Sequence, residues 1–107
     1  SQKVTAGRDN LGDLAPQFAA LNDGVFGEVW AREAELSPRD RSLATVSALI
    51  GAGILDSSLK AHLQKALDNG VERSELVEVI TQLGFYTGWP KAWAAFRLLK
   101  EILAEAE

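Results

Sequence analysis

The sequence predicts an all-α fold of about six helices. Apolar residues recur at helical spacing in one segment after another, and no stretch alternates between polar and apolar residues as a half-buried strand does. Glycine, proline and capping residues separate these segments by short connections. A length of 107 residues fits one domain rather than two. We therefore expect a flexible N-terminal arm over residues 1–10 and a single domain over residues 11–107.

The first three predicted helices differ in how clearly their ends are marked. The pattern indicates one helix over about residues 13–21, a turn at residues 22–24 and a second helix over about residues 25–35. The third helix has the clearest start, because Ser37 is a good N-cap residue and Pro38 suits the first helical position. Glycines at 51 and 53 end this helix, since glycine adopts left-handed backbone angles without strain.

The remaining three helices follow in the second half of the chain. A fourth helix starts near Asp56 and closes at Asn69 and Gly70, a fifth covers about residues 73–86, and a sixth runs from Pro90 to the C-terminus. Gly84, inside the fifth helix, costs roughly 1 kcal/mol relative to alanine unless another helix packs close to it. The predicted inward-facing residues are Leu43, Val46, Ile50, Leu59, Leu63, Ala66, Leu67, Leu76, Val79, Ile80, Leu83, Trp93, Phe96, Leu99 and Leu103. The third, fifth and sixth helices are apolar over more than a narrow stripe, which favours a homo-oligomer over a central helix in a monomer.

Composition excludes several classes of function. The chain has no cysteine, which removes disulfides and thiol chemistry, and its one histidine is too few for a histidine-rich metal site. The net charge of −4 disfavours nucleic acid as a partner, and no apolar run approaches the roughly 20 residues that cross a bilayer. The start of the chain lacks the apolar core of a signal peptide. We expect a cytoplasmic protein without metal, cofactor, nucleic-acid or membrane partner.

Two side chains are the candidates for chemistry. His62 lies on the apolar stripe of the fourth helix, where it is either a core residue that donates one hydrogen bond or an acid or base in a half-dry pocket. Arg41 lies in the first turns of the third helix, where the helix dipole disfavours a cation. It is either a surface partner of Asp40 or Glu33, or a clamp that holds a carboxylate with two hydrogen bonds.

Three aromatic residues are candidates for ligand binding. Trp30, Tyr86 and Trp89 could line a pocket for a flat, polar ligand, although such residues more often anchor a core or an interface. Glutamates at 72, 75 and 78 recur every three residues on the fifth helix and are interpreted as a solvated face. Phosphate-binding glycine loops, paired-histidine metal motifs and nucleophile elbows do not occur.

Three segments carry a resemblance to a known family. They are WAR at 30–32 with LSPRDRSL at 36–43, HLQKALDNG at 62–70 followed by an acidic helix, and YTGWP at 86–90. Together they resemble the carboxymuconolactone decarboxylase family over roughly residues 11–100. The resemblance implies an all-α fold assembled as trimers or hexamers, and a small-molecule carboxylate or lactone as the partner.

The family has two chemical branches. In the branch similar to the alkylhydroperoxidase AhpD, a Cys-x-x-Cys pair precedes the matching histidine, and here those positions hold Leu55 and Ser58. The other branch decarboxylates γ-carboxymuconolactone in aromatic-compound breakdown without a cofactor. By this resemblance, His62 supplies the proton and Arg41 holds a carboxylate or the enolate. Trp30, Tyr86 and Trp89 remain the candidates for substrate binding. Many members have an acid directly after the arginine, where this chain has Ser42, which leaves open a non-catalytic binding or assembly protein.

Overall fold

A computed structural model describes residues 3–107 of the chain. These residues form six α-helices and no strand, as the sequence predicts. The helices are α1 (Ala6–Leu11), α2 (Pro16–Trp30), α3 (Pro38–Ala52), α4 (Ser57–Asp68), α5 (Arg73–Thr87) and α6 (Trp89–Glu105).

The chain divides after Ser37 into two compact units, the second of which is Pro38–Glu107. In this second unit α3 packs against α4, α5 and α6, and α6 also packs against α4 and α5. The core consists of aliphatic side chains and alanines that are almost inaccessible to solvent. They are Val46, Ile50, Leu59, Leu63, Ala66, Val71, Leu76, Ile80, Ala92, Ala95, Leu99 and Ile102. That a single domain spans residues 11–107 stays a prediction.

The second unit's helices begin and end close to the predicted positions. α3 begins at Pro38, and the Asp56 carboxylate caps α4 by accepting a hydrogen bond from the Ser58 backbone N–H at 2.9 Å. Gly53 and Gly70 have φ angles of 76° and 97°, which fits the left-handed backbone expected of glycine after a helix. Local capping and turn residues therefore set these boundaries.

The first unit differs from the sequence prediction. The expected arm contains α1, the expected turn at residues 22–24 lies inside α2, and the first two residues of the arm lie outside the described residues. The reason is a long-range cap: the Asp23 carboxylate accepts hydrogen bonds from the backbone N–H groups of Gly7 and Arg8, at 2.7 and 3.0 Å. The Asp23-Gly24 pair is typical of a turn in sequence, but here it lies inside α2 and the Asp23 carboxylate caps α1.

The close approach of α5 and α6 explains a second difference. A Cβ atom at Gly84 would lie 3.1 Å from the Ala92 Cβ and 3.3 Å from Trp89, so glycine permits this contact. The small residue Ala92 therefore lies on α6 where it faces Gly84, and Trp93, which the sequence prediction placed on the inner side, is 56% exposed. The prediction was wrong here because it followed apolar bulk, whereas the short distance between the helices selects small side chains.

Glu75 provides a third correction. Its carboxylate accepts a hydrogen bond from the backbone N–H of Glu72 at 3.0 Å, which closes the start of α5, and it also pairs with Arg39 of α3. The first bond and then the Arg39 guanidinium hold the pKa of this carboxyl below its usual value. Glu75 is therefore a structural contact between α3 and α5, not part of a purely solvated face.

Candidate functional site

His62 lies in the middle of α4, one residue before the core residue Leu63. Its ring is half-buried, and the Nδ1 atom is closed off from solvent. Burial lowers the pKa of His62 below its usual value, and the ammonium of Lys65, one helical turn away, lowers it further. The imidazole is therefore mainly neutral at pH 7, which suits a group that exchanges a proton with a bound molecule.

Arg41 lies in the first turn of α3 and is also half-buried, with its Nε atom closed off from solvent. Its backbone carbonyl accepts a hydrogen bond from Thr45 Oγ1 at 2.8 Å. The same end of α3 holds Arg39, whose guanidinium is engaged by Glu75 and Asp40. Arg41 thus combines a permanent charge with partial removal from water, which strengthens its attraction for an anion.

Ser42, the departure from the family pattern, is fully buried. Its hydroxyl accepts a hydrogen bond from Asn69 Nδ2 at 3.0 Å, and the same amide group lies 3.5 Å from the carbonyl oxygen of Pro38. These contacts hold the end of α4 against the start of α3. In this chain the position after Arg41 therefore joins two helices, and its burial leaves a carboxylate little access to solvent.

The same contact sets the register between the two candidate chemical groups. Arg41 precedes Ser42, which lies beside Asn69, whereas His62 lies seven residues before Asn69 along α4. Seven helical residues span about 10 Å along the axis. Helical side chains also lean towards the start of their own helix, which carries Arg41 and His62 in opposite directions along this antiparallel helix pair. The register therefore puts Arg41 and His62 on the same helix pair, with their backbones at different levels along it.

The three predicted aromatic residues are placed differently. Trp30 is the last residue of α2 and half-buried, and it belongs to the first unit. Tyr86 is 80% exposed near the end of α5, and Trp89 is 55% exposed at the start of α6. The edge of one ring meets the face of the other where Trp89 contacts Phe85, with centroids 5.6 Å apart.

Sequence reasoning missed two residues beside Trp89. Trp89, Pro90, Trp93 and Arg97 line an open groove of about 400 Å³, and the Arg97 guanidinium lies 5.7 Å from the centre of the Trp93 ring. The spacing of four residues from Trp89 to Trp93 to Arg97 was the available signal, since such residues share one face of a helix. The assignment of Trp93 to the core concealed it.

Residues 3–107 contain neither a cluster of metal-binding side chains nor a membrane-spanning helix. Histidine and acidic side chains form no group of three that could hold a metal ion in that range. Within it, too, every helix is too short or too polar to span a bilayer.

Comparison with known proteins identifies the family. Residues 16–101 match the model of the carboxymuconolactone decarboxylase family. This chain belongs to the carboxymuconolactone decarboxylase family. It is 33% identical to the 4-carboxymuconolactone decarboxylase of Acinetobacter baylyi over 103 residues, which are 95% of this chain and 75% of that protein. It is also 29% identical, over 77% of this chain and 61% of the relative, to an uncharacterized 15.0 kDa protein of Paracoccus denitrificans encoded between nqo9 and nqo10.

Membership of the carboxymuconolactone decarboxylase family confirms the resemblance from which His62 and Arg41 received their expected roles. The chain contains no cysteine, so the thiol chemistry of the AhpD-like branch has no residue to carry it. Leu55 and Ser58 stand at the two positions of the cysteine pair.

Proposed function

We propose that this protein is a cofactor-free carboxy-lyase that decarboxylates a small lactone or oxo-acid carboxylate, with γ-carboxymuconolactone as the first candidate substrate. The observation that carries the proposal is His62, a half-buried imidazole of lowered pKa on a helix of the core. The similarity to a named 4-carboxymuconolactone decarboxylase over most of the chain supports the same reaction class.

The reaction requires an electron sink, an anchor and a proton. Cleavage of the bond to the carboxylate releases CO₂ and leaves its two electrons in the unsaturated lactone, as an extended enolate. A cation near the lactone oxygen stabilises the charge that develops there, and protonation of carbon completes the enol-lactone product. We assign the cation to Arg41 and the proton to His62, with Trp30, Tyr86 and Trp89 as substrate-binding walls.

The lowered pKa of His62 makes its protonated form scarce in the free protein, but this form gives up its proton readily. A carboxylate substrate brings a negative charge that favours the protonated imidazole, so binding raises the pKa of His62 towards its usual value. Substrate binding therefore favours protonation of His62, and this proton is then transferred to the carbon of the product. As the pH rises, kcat should therefore fall at a higher pH than kcat/KM does, because kcat reports the substrate complex and kcat/KM reports the free protein.

The register of α3 and α4 bears on how Arg41 and His62 share a substrate. Because they lie about two helical turns apart along the helix pair in one chain, we propose that neighbouring copies in a trimer or hexamer complete the site. An exposed apolar stripe along α2 supports assembly, and its members are Phe18, Leu21, Val25 and Val29. Leu21→Asp should lower the mass measured by light scattering and, with it, the activity.

The direct test is CO₂ release from γ-carboxymuconolactone by the intact protein. His62→Gln should lower kcat by about 100-fold or more, and Arg41→Gln should lower kcat/KM by a comparable factor. Arg73→Gln, at an exposed arginine at the start of α5, is the matched control and should leave both constants unchanged. Activity that survives His62→Gln would remove the imidazole from the mechanism.

The second candidate is a ligand-binding or assembly protein that keeps the fold without the chemistry. The buried Ser42–Asn69 hydrogen bond favours it, because it occupies the position where many family members have an acid. This candidate predicts that γ-carboxymuconolactone binds, as measured by calorimetry, and is recovered unchanged.

A further inference from the structure

The groove on the outer side of α6 combines aromatic walls with an uncompensated cation. We propose that Trp89, Trp93 and Arg97, here called the α6 ledge, bind planar aromatic carboxylates, with the ring on the indoles and the carboxylate on the guanidinium. This goes beyond the proposed decarboxylation: it needs no turnover, and Trp89 alone is common to both sites.

The first argument is the shape and chemistry of the ledge. The groove of about 400 Å³ falls in the size range of small-molecule sites and is open along one side. The two tryptophans are 55% and 56% exposed, so part of each indole is accessible to a flat ligand. Offset stacking on such a face favours an aromatic ring over a saturated one of equal size.

The second argument is the charge around Arg97. Among the described residues, no carboxylate lies within salt-bridge distance of its guanidinium, in a protein of net charge −4. Glu101, one helical turn further on, lies towards Lys60 instead, at 3.8 Å. Lys100 and Glu101 border a second groove together with Arg97, and Lys100 has no carboxylate within salt-bridge distance among residues 3–107. Arg97 therefore offers a guanidinium that forms no ion pair among the described residues, which favours an anionic ligand.

The third argument weighs against a two-fold contact between the ledges of two copies of the chain. A two-fold contact through the ledge would bring Arg97 of one copy towards Arg97 of the other, a like-charge contact at an interface centre that is unfavourable. A carboxylate neutralises the same charge and forms two parallel hydrogen bonds with the guanidinium. The arginine is already positioned over the Trp93 ring, so little side-chain freedom is lost on binding.

The test is a benzoate titration of the intact protein labelled with ¹⁵N, followed through its three tryptophan indole N–H signals. These signals are assigned with Trp30→Phe, Trp89→Phe and Trp93→Phe. Benzoate should shift the signals of residues 89 and 93 saturably below about 10 mM and leave that of residue 30 in place. Benzamide, which lacks the charge, and cyclohexanecarboxylate, which lacks the ring, should each bind more weakly.

Three variants separate the ledge from the proposed catalytic site. Arg97→Gln should weaken benzoate binding by about fivefold or more, whereas the exposed control Arg73→Gln should leave the affinity unchanged. His62→Gln should also leave it unchanged, so loss of catalysis and loss of ledge binding are separate outcomes. Equal affinity in Arg97→Gln, or no saturable shift at residues 89 and 93, overturns the proposal. So does a dependence of these two signals on protein concentration without ligand, which shows a second copy on the ledge.

Discussion

Replacing Gly84 by alanine tests the contact between α5 and α6 directly. Alanine favours a helix over glycine by about 1 kcal/mol, so the substitution is stabilising wherever space allows. At this position the added Cβ would lie 3.1 Å from Ala92 Cβ and 3.3 Å from Trp89, closer than ordinary carbon contacts. Overpacking of this kind costs about 1–3 kcal/mol. We therefore expect a net loss of about 1 kcal/mol.

The matched control is Gly24→Ala in α2, another glycine inside a helix. A Cβ there would meet no atom within 4 Å, so only the helix preference acts. This variant should gain up to about 1 kcal/mol. The two substitutions are chemically identical and should therefore differ by about 2 kcal/mol in opposite directions.

Urea denaturation followed by circular dichroism measures both free energies of unfolding. Because Trp89 lies against Gly84, the Gly84→Ala variant should also change tryptophan fluorescence in the folded state, whereas Gly24→Ala should not. The reasoning is refuted if Gly84→Ala stabilises the protein as much as Gly24→Ala does. That result would mean that α6 moves away from α5 without loss of packing.

Three further predictions concern buried or capping polar groups. The pKa of His62 is lowered in the folded protein, so neutral His62 contributes fully to stability above the pKa of a free histidine, and this contribution is lost as the pH falls through the folded pKa. His62→Gln should therefore flatten the change in the free energy of unfolding that urea denaturation measures between about pH 8 and pH 5. Asp23→Asn should speed amide hydrogen exchange at Gly7 and Arg8, and unchanged exchange would contradict its role as a cap. Ser42→Ala should lower the free energy of unfolding by about 1–2 kcal/mol because Asn69 loses a buried acceptor, and a neutral effect in the same assay would count against this bond.

The second unit was predictable from sequence because its boundaries are local. Pro38 begins α3, the Asp56 carboxylate caps α4 two residues ahead, and Gly53 and Gly70 adopt the left-handed backbone that ends a helix. Each of these effects acts within a few residues of the side chain that causes it. Apolar periodicity then identified most of the core.

The first unit was not predictable in the same way. Asp23 acts on residues 15 and 16 positions earlier in the chain, and no local pattern reveals such a bond. Burial raises the pKa of this carboxyl, but hydrogen bonds from Arg8, Asn22 and Gly7 outweigh it and leave the pKa lowered. The sequence shows an acidic residue before a glycine, and only the fold shows which N–H groups donate hydrogen bonds to it.

The candidate site was identified partly by pattern and partly by resemblance. The position of His62 on the apolar stripe of α4 predicted partial burial, and the ring is half-buried. The separation of Arg41 from His62 could not be predicted, because it depends on the Ser42–Asn69 contact between two helices. Trp93 was misplaced because its size suggested the interior.

The close approach of α5 and α6 has a consequence for how the binding properties of this protein can diversify. Since Gly84 and Ala92 let the two helices approach closely, the outer row of α6, formed by Trp89, Trp93 and Arg97, stays exposed, whereas Leu99 and Ile102 lie in the core. Substitutions along that outer row can therefore retune which molecules the protein recognises while the interior keeps its shape. Recognition and folding are in this way assigned to opposite sides of one helix.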